Sequence, residues 1–314
     1  MIKEKIKFDD FHEYEVADVK EGGMGRVLIL NRVSGTGTST EPFLEALMKN
    51  NPRLADKYSL IYREKVAAKT FKDNAFVQRN KALFERELNI WINIDVINTA
   101  KLLKIVFIQD RLYALMPFYN GNLREEIEQG RFAISEAKFI LINVIRGLCE
   151  TFEKHGIVHQ DLKPENILID FEKDHTRFFV SDWGIANLQR RYCPDVLLKD
   201  SLPSFVDTMT GLGTLPYMSP ERFIDYSTHM TADVFSLGMI FFELLLGHLP
   251  YDFSPGKPLI SQIIDHDYFY IADHLLQRHN LDEKIRSVIL KCIHPDMSKR
   301  YTDYENLVFD IYKC

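Results

Sequence analysis

Three short stretches of this 314-residue chain concentrate side chains able to do chemistry. His159-Gln160-Asp161-Leu162-Lys163-Pro164-Glu165-Asn166 sets a carboxylate, an ammonium and an amide close together, and Ser181-Asp182-Trp183-Gly184 adds a second carboxylate. Gly213-Thr214-Leu215-Pro216-Tyr217-Met218-Ser219-Pro220-Glu221 follows. Taken singly, Asp161 with Lys163 reads as a turn aspartate with its lysine partner, and Asp182 as a loop cap, but those readings leave the combined order unexplained. Upstream, Glu21-Gly22-Gly23-Met24-Gly25-Arg26-Val27 sits between two apolar runs. Glycines there let backbone N–H groups approach phosphate oxygens that a Cβ would hold off, with a plain hairpin turn as the alternative. Lys69 closes Val66-Ala67-Ala68-Lys69, and Glu87 lies on a facing amphipathic helix, so an ion pair between them would hold the ammonium over phosphate. By itself, Lys69 is an ordinary solvated residue at a strand end.

The elements that must position these residues follow from periodicity. Residues 13–30 and 58–72 carry short apolar and β-branched runs, and 106–116 repeats that style, so the first third is predicted to be strand-rich. From about Asn80 to Ile94, Phe84, Leu88 and Trp91 recur at i, i+4 and i+7, the stripe of an amphipathic helix. After Gly121 helices take over. Ser135 is the predicted cap of a helix with Ala137, Ile140, Leu141, Val144, Leu148 and Phe152 on one face and Gly156 as terminator. Another is predicted from Thr231 to Gly247, with Val234, Leu237, Phe241 and Leu244 on one side and Pro250 beyond its end. Strands first and helices after, joined near residues 117–122, predict an α+β chain with two lobes and a cleft between them. Two segments exceed ordinary connections: 31–58, which includes VSGTGTST, and the polar 189–213.

With 27% charged and 46% hydrophobic residues the chain is globular in composition, which excludes a disordered, collagen-like or disulfide-dense protein. A net charge of −6 argues against a nucleic-acid partner held by phosphate neutralisation. Cys149, Cys193, Cys292 and Cys314 lie far apart without a CxxC pair, which suits a reducing compartment and not a zinc ribbon. The first residues alternate charge with apolar side chains, unlike a signal peptide. The apolar run Met239 to Leu246 is broken by Glu243 and falls well short of the roughly 18 residues of a membrane span. These features read as a soluble, cytoplasmic protein with neither a nucleic-acid nor a membrane partner.

On the ordered motifs at His159–Asn166, Ser181–Gly184 and Gly213–Glu221, the chain resembles the eukaryotic-type (Hanks-type) serine/threonine protein kinases from about Tyr14 to about Tyr312. The resemblance implies a bilobal protein kinase-like fold in one domain, 1–314. It comprises a small β-rich N-lobe (1–116, with the insertion 31–58), a hinge (117–122), and a helical C-lobe (123–314) with its activation segment at 182–221. It further implies ATP, Mg2+ and a protein substrate. Asp161 would orient and deprotonate the acceptor hydroxyl, and Lys163 would neutralise charge on the γ-phosphate. Asn166 and Asp182 would hold magnesium, and Lys69 paired with Glu87 would hold ATP phosphates. Gly22, Gly23 and Gly25 would cover the phosphates. Val27 and Ala67 would lie above adenine, Leu168 below it and Met116 behind it, with the carbonyl of Pro117 and the N–H of Tyr119 at its edge. Glu221 would pair with Arg300, Asp233 would accept N–H bonds from the catalytic loop, and Thr214 beside Lys163 favours Ser or Thr acceptors.

Four departures from the family pattern carry expectations of their own. Lys20 replaces the first glycine of the phosphate loop. Gln160 replaces the arginine before the catalytic aspartate, and a neutral amide cannot pair bidentately with a phosphorylated loop, so activity without loop phosphorylation is expected. Ser201, Ser204, Thr208 and Thr210 are then autophosphorylation targets at most. Trp183 replaces the usual phenylalanine as a larger apolar plug that hinders an inactive flip. The insertion at 31–58 is expected to be a docking or regulatory element, with a disordered loop as the plainer alternative. Glu165 either favours a basic residue near the acceptor or serves as a cap or solvated carboxylate. A nucleotide-binding pseudokinase scaffold is the alternative function. A small-molecule kinase of the antibiotic-phosphorylating type is disfavoured by Lys163 and by the Gly213–Glu221 segment.

Overall fold

A computed structural model describes residues 5–8, 13–21, 25–33, 65–71, 74–79, 81–171, 175–183, 215–223, 229–254 and 256–314. The chain divides into two compact units, residues 1–95 with 100–119 and residues 96–99 with 120–314.

In the first unit, strands β1 (Lys5–Lys7), β2 (Glu13–Glu21), β3 (Gly25–Arg32) and β4 (Lys65–Phe71) precede helices α1 (Asn74–Arg79) and α2 (Lys81–Ile92). Strands β5 (Lys104–Ile108) and β6 (Arg111–Pro117) complete a sheet of order β1-β2-β3-β4-β6-β5 in which every pair is antiparallel. The two-residue period of a strand separates its faces. Leu28, Leu30, Val66, Ala68, Tyr113 and Leu115 turn one way and close a core with Ile6, Phe8 and Tyr14. Phe71 belongs to the opposite face and meets Phe84 of α2 edge-on at 4.8 Å, so α2 packs on that second face. Phe84, Leu88 and Trp91 are buried as the stripe predicts, and Trp91 Nε1 donates to the Ala100 carbonyl at 2.7 Å. The short helix α1 was not legible, because six residues are too few to display a 3.6 period.

The second unit contains β7 (Gly121–Asn122), α3 (Leu123–Ile127), α4 (Ile134–His155), β8 (Ile167–Phe171) and β9 (Thr176–Val180). Helices α5 (Met230–Leu246), α6 (Leu259–Ile264), α7 (Asp267–Arg278), α8 (Glu283–Cys292) and α9 (Tyr304–Lys313) follow. A sheet-rich unit and a helical unit give the α+β architecture expected. Val96–Thr99 goes with the second unit because Val180 N–H binds the Asn98 carbonyl at 2.8 Å and Asn98 Nδ2 binds the Phe178 carbonyl at 3.0 Å.

Helix α4 buries Ala137, Ile140, Leu141, Val144 and Leu148 and ends at Gly156, whose φ of 65° is the left-handed cap expected. Two details differ from the sequence reading. Ser135 is not the cap: the helix already includes Ile134, and the Glu136 carboxylate reaches back to the Ala133 N–H at 2.7 Å. Phe152 lies off the buried stripe at 39% exposure, its ring 6.4 Å from Tyr304 of α9. Helix α5 differs more. All 17 of its residues are buried, so it is a central helix without a solvent side, and the predicted stripe is only part of its contact surface. Gly238 lets α8 approach, since a Cβ there would lie 2.5 Å from the Cys292 Cβ. Among the described residues no helix is long and apolar enough to cross a membrane.

Candidate active site

The loop carrying the candidate residues Asp161, Lys163 and Asn166 is assembled by a strand register. Strands β8 and β9 pair Ile167 with Val180, which sets Asn166 across from Ser181. The Ser181 N–H and Oγ both donate to the Asn166 carbonyl, at 2.8 and 3.0 Å, so Asn166 and Asp182 leave the same end of one ladder. The loop before Asn166 folds onto it. Asn166 Nδ2 donates to the Asp161 carbonyl at 2.8 Å and to Asp161 Oδ2 at 3.3 Å, while the Asn166 N–H binds the Lys163 carbonyl at 2.9 Å. Lys163 Nζ lies 3.6 Å from Asp161 Oδ2. Asp161, Lys163 and Asn166 are all buried, so carboxylate, ammonium and amide meet where water screens them little.

Buried neighbours hold this loop. His159 Nδ1 accepts the Asp161 N–H at 3.2 Å, which leaves Nε2 as donor to the Ser181 carbonyl at 2.7 Å. Its ring stands 4.8 Å from Trp183, which is wholly buried and satisfies its indole N–H on the Val180 carbonyl at 3.0 Å. Asp233, in the first turn of α5, accepts the His159 N–H at 2.8 Å and the Gln160 N–H at 2.7 Å, the role expected of it. These bonds hold Gln160 at a φ of 67°, and Asp182 at 64° is also left-handed, a strained backbone that only a well-determined surrounding maintains. Burial pushes the Asp233 carboxyl up, opposed by His159 and by the two backbone donors. The Arg222 guanidinium donates to the Gln160 carbonyl; its burial lowers its pKa, opposed by the charges of Asp161, Asp233 and Glu221. The Gln160 side-chain oxygen is buried without a hydrogen bond.

The segment that follows is anchored on both sides. Glu221 and Arg300 form the expected pair, bidentate at 2.8 and 2.9 Å, and the Arg300 side chain is fully buried. Arg300 also donates to the carbonyls of His294 at 2.7 Å and Thr231 at 3.1 Å. Ser236 Oγ binds the Tyr217 carbonyl and Tyr251 Oη the Pro216 carbonyl, each at 2.8 Å. Arg124 of α3 reaches Glu243 Oε1 at 2.8 Å, Glu243 Oε2 at 3.4 Å and Glu165 Oε1 at 3.1 Å, and also the Tyr217 hydroxyl, which itself donates to Glu243. Burial, then Glu243, raises the Tyr217 pKa well above a phenol's ordinary value and keeps it a donor. Burial lowers the Arg124 pKa, but its hydrogen bond to Glu243 and the nearby charges outweigh that and leave it raised.

In the first unit, directly paired residues share a sheet face. Val27 opposes Lys69 and Ala67 opposes Met116, so four of the residues expected at the nucleotide line one face, the face on which α2 packs. Gly25 follows the same alternation, and a Cβ there would overlap the Thr70 carbonyl, so only glycine admits this strand approach. Pro117 closes β6 opposite Val66, and the Tyr119 hydroxyl accepts the Lys101 N–H at 3.3 Å. Leu168 lies in the second unit, in β8 opposite Phe179 and Asn122. Glu87 lies in α2. Its side chain, and with it the expected pair with Lys69, falls outside the described residues, as do Gly22, Gly23, Gly184, Thr214, the four loop hydroxyls and residues 34–58.

Sequence reasoning assigned no role to His159, Ser181, Arg124, Arg222, Tyr217 or Glu243. One signal was present: a lone glutamate inside the apolar run Met239–Leu246 requires a buried partner.

The protein kinase domain family matches residues 58–311 of the chain. Over 231 residues the chain is 26% identical to the "Probable serine/threonine-protein kinase PknB" of Lactococcus lactis, covering 73% of this chain and 34% of that protein. It is 27% identical over 294 residues to the "Serine/threonine-protein kinase PrkC" of Bacillus subtilis, covering 91% and 40%. With the "Probable serine/threonine-protein kinase HSL1" of Saccharomyces cerevisiae it shares 30% identity over 241 residues, 75% of this chain and 14% of that one. The chain thus spans two fifths or less of the length of these relatives.

Proposed function

Because the chain belongs to the protein kinase domain family, we propose that it transfers the γ-phosphoryl group of ATP to Ser or Thr hydroxyls of proteins. The convergence of Asp161, Lys163 and Asn166 on one buried loop carries the reading. Asp161 orients the acceptor hydroxyl and takes its proton, while Lys163, 3.6 Å away, spreads the negative charge of the phosphoryl group in flight. Val27, Ala67 and Met116 give adenine an apolar face, and Lys69 on that same face meets the phosphates. Asn166 Nδ2 is engaged by Asp161, so the amide presents its oxygen, and with the Asp182 carboxylate it forms a hard donor pair suited to magnesium that keeps phosphate and water ligands. Bound there, magnesium would neutralise charge on the phosphates.

Gln160 supports activity without phosphorylation of the loop, because its side chain is a buried neutral amide with no cation to offer a phosphate. Phosphatase treatment should leave the rate unchanged; abolition by phosphatase and recovery on rephosphorylation would refute that part. We place the protein in the cytoplasm, the reducing setting that four cysteines without a CxxC pair suit. Radiolabelled ATP and a generic protein acceptor test the main reading. Wild type should incorporate label, and Asp161→Asn and Lys69→Ala should lose about 10²–10⁴-fold. Equal incorporation by all three would overturn it. Incorporation by none of them would favour the pseudokinase alternative.

A further inference from the structure

Glu165 and Glu243 come from different elements and aim their carboxylates at one point. Glu165 lies on the reacting loop, between Lys163 and Asn166, and Glu243 lies in the last turns of α5 with its side chain 7% exposed. Two carboxylates so placed form a pocket for a guanidinium, whose planar fork matches them and whose charge cancels theirs. The chain itself fills that pocket. Arg124 uses Nη1 and Nη2 on Glu243 and Nε on Glu165, and the Tyr217 hydroxyl closes a third side. The second oxygen of Glu165 is buried and makes no hydrogen bond, and the first is taken by Arg124. Tyr217 belongs to the segment Leu215–Glu221 and Glu165 to the loop of Asp161, so the filled pocket borders both parts assigned to the acceptor.

We propose that Arg124 is an internal arginine occupying the acidic subsite beside the acceptor hydroxyl, so that this chain takes Ser/Thr peptides lacking a flanking basic residue. The proposal rests on the kinase reading and answers the question left by Glu165: its bonded oxygen takes the chain's own arginine in place of a substrate's. It also separates a specificity role from a merely structural clamp. A clamp that is lost lowers all rates together, whereas an emptied subsite acquires a taste for arginine.

The test is a set of Ser/Thr peptides in which one arginine is moved through each flanking position. Wild type should phosphorylate them with kcat/KM values within about threefold of the alanine parent. Arg124→Ala should favour arginine at one position by about tenfold, and Arg124→Ala with Glu165→Gln should lose that preference. A tenfold arginine preference in wild type overturns the proposal, and so does an active Arg124→Ala with a flat profile. If Arg124→Ala does not fold, the wild-type profile alone decides. Binding of the same peptides, fluorescently labelled, separates this proposal from the kinase reading. Were no peptide phosphorylated, the kinase reading would fail, while tighter binding of the arginine peptide by Arg124→Ala than by wild type would still uphold the filled pocket, and equal binding would sink it.

Discussion

Asp233→Asn exchanges one of the two oxygens that hold the reacting loop for an amino group. The His159 and Gln160 N–H donors, at 2.8 and 2.7 Å from separate oxygens, are both buried, so the exchange leaves one of them facing another donor. An orphaned buried donor costs about 1–3 kcal/mol. The native carboxylate carries an opposing cost, because burial pushes its pKa up, and a neutral amide relieves part of it. The net loss should therefore sit near the lower end, about 1–2 kcal/mol. Asp233→Ala orphans both donors and should cost about 2–6 kcal/mol. Urea unfolding of the three proteins reads these values directly, and for a chain of 314 residues each kcal/mol shifts Tm by about 1.5 °C. Phosphoryl transfer should fall further than stability. Gln160 is held at a φ of 67°, a region that costs an L-residue about 1–2 kcal/mol, so a released loop relaxes and carries Asp161 with it. If alanine destabilises no more than asparagine, or if both stay within about 0.5 kcal/mol of wild type, the loop is not held in this way.

Three further perturbations follow from named contacts. Glu221→Gln strands the fully buried Arg300 without its carboxylate and should cost about 3–5 kcal/mol in urea, and adding Arg300→Met should recover part of that loss; a strictly additive double variant would deny the pairing. Gly238→Ala gains about 1 kcal/mol of helix propensity but forces a Cβ to within 2.5 Å of Cys292 Cβ and 2.6 Å of Ile293 Cγ2, and overpacking of about 1–3 kcal/mol should win, so that Tm falls; a rise would show that α5 and α8 can part freely. Burial, helped by Glu153, pushes the Cys149 thiol from 9.0 to about 11, so its thiolate fraction at pH 8 drops about a hundredfold and iodoacetamide should label it that much more slowly than an ordinary thiol. Because the folded state holds this proton more tightly, the associated stabilisation is complete below pH 9 and is lost as pH rises through about 11. Labelling of Cys149 at the ordinary rate would contradict its burial.

What the sequence revealed was mostly local or fixed by motif spacing. Asp161, Lys163 and Asn166 share one loop, so their meeting needed only a turn, and Gly156 and Gly247 stop their helices by the left-handed φ of 65° and 77° that glycine tolerates. Local rules failed where two competed. At α4 the Glu136 side chain satisfied the Ala133 N–H and drew Ser135 into the first turn. The amphipathic stripe of α5 was visible, but burial on its remaining sides is decided by neighbours far off in sequence, which a 3.6 period cannot report. The links of His159 to Ser181 and of Arg124 to Glu243 join residues that only the β8–β9 register and the packing of α5 bring together.

Helix α5 explains why those long-range links matter. It is apolar and buried throughout, yet it carries Asp233 in its first turn and Glu243 in its last turns. A charge inside such a helix is costly unless it is paired and hydrogen-bonded. Both are hydrogen-bonded and Glu243 is also paired with Arg124, and both act on the same loop: Asp233 takes the N–H groups at its start, while Glu243 is joined through Arg124 to Glu165 near its end. Asp161 and Lys163 lie within that span and Asn166 directly follows it, so their separations are set against one rigid helix instead of by the loop's own conformational preferences. It follows that conservative repacking of the apolar positions of α5 should change stability with little effect on transfer, whereas loss of Asp233 should misplace the loop even where the chain still folds. Equal sensitivity of the transfer rate to both kinds of change, at matched stability, would show that α5 serves only as core.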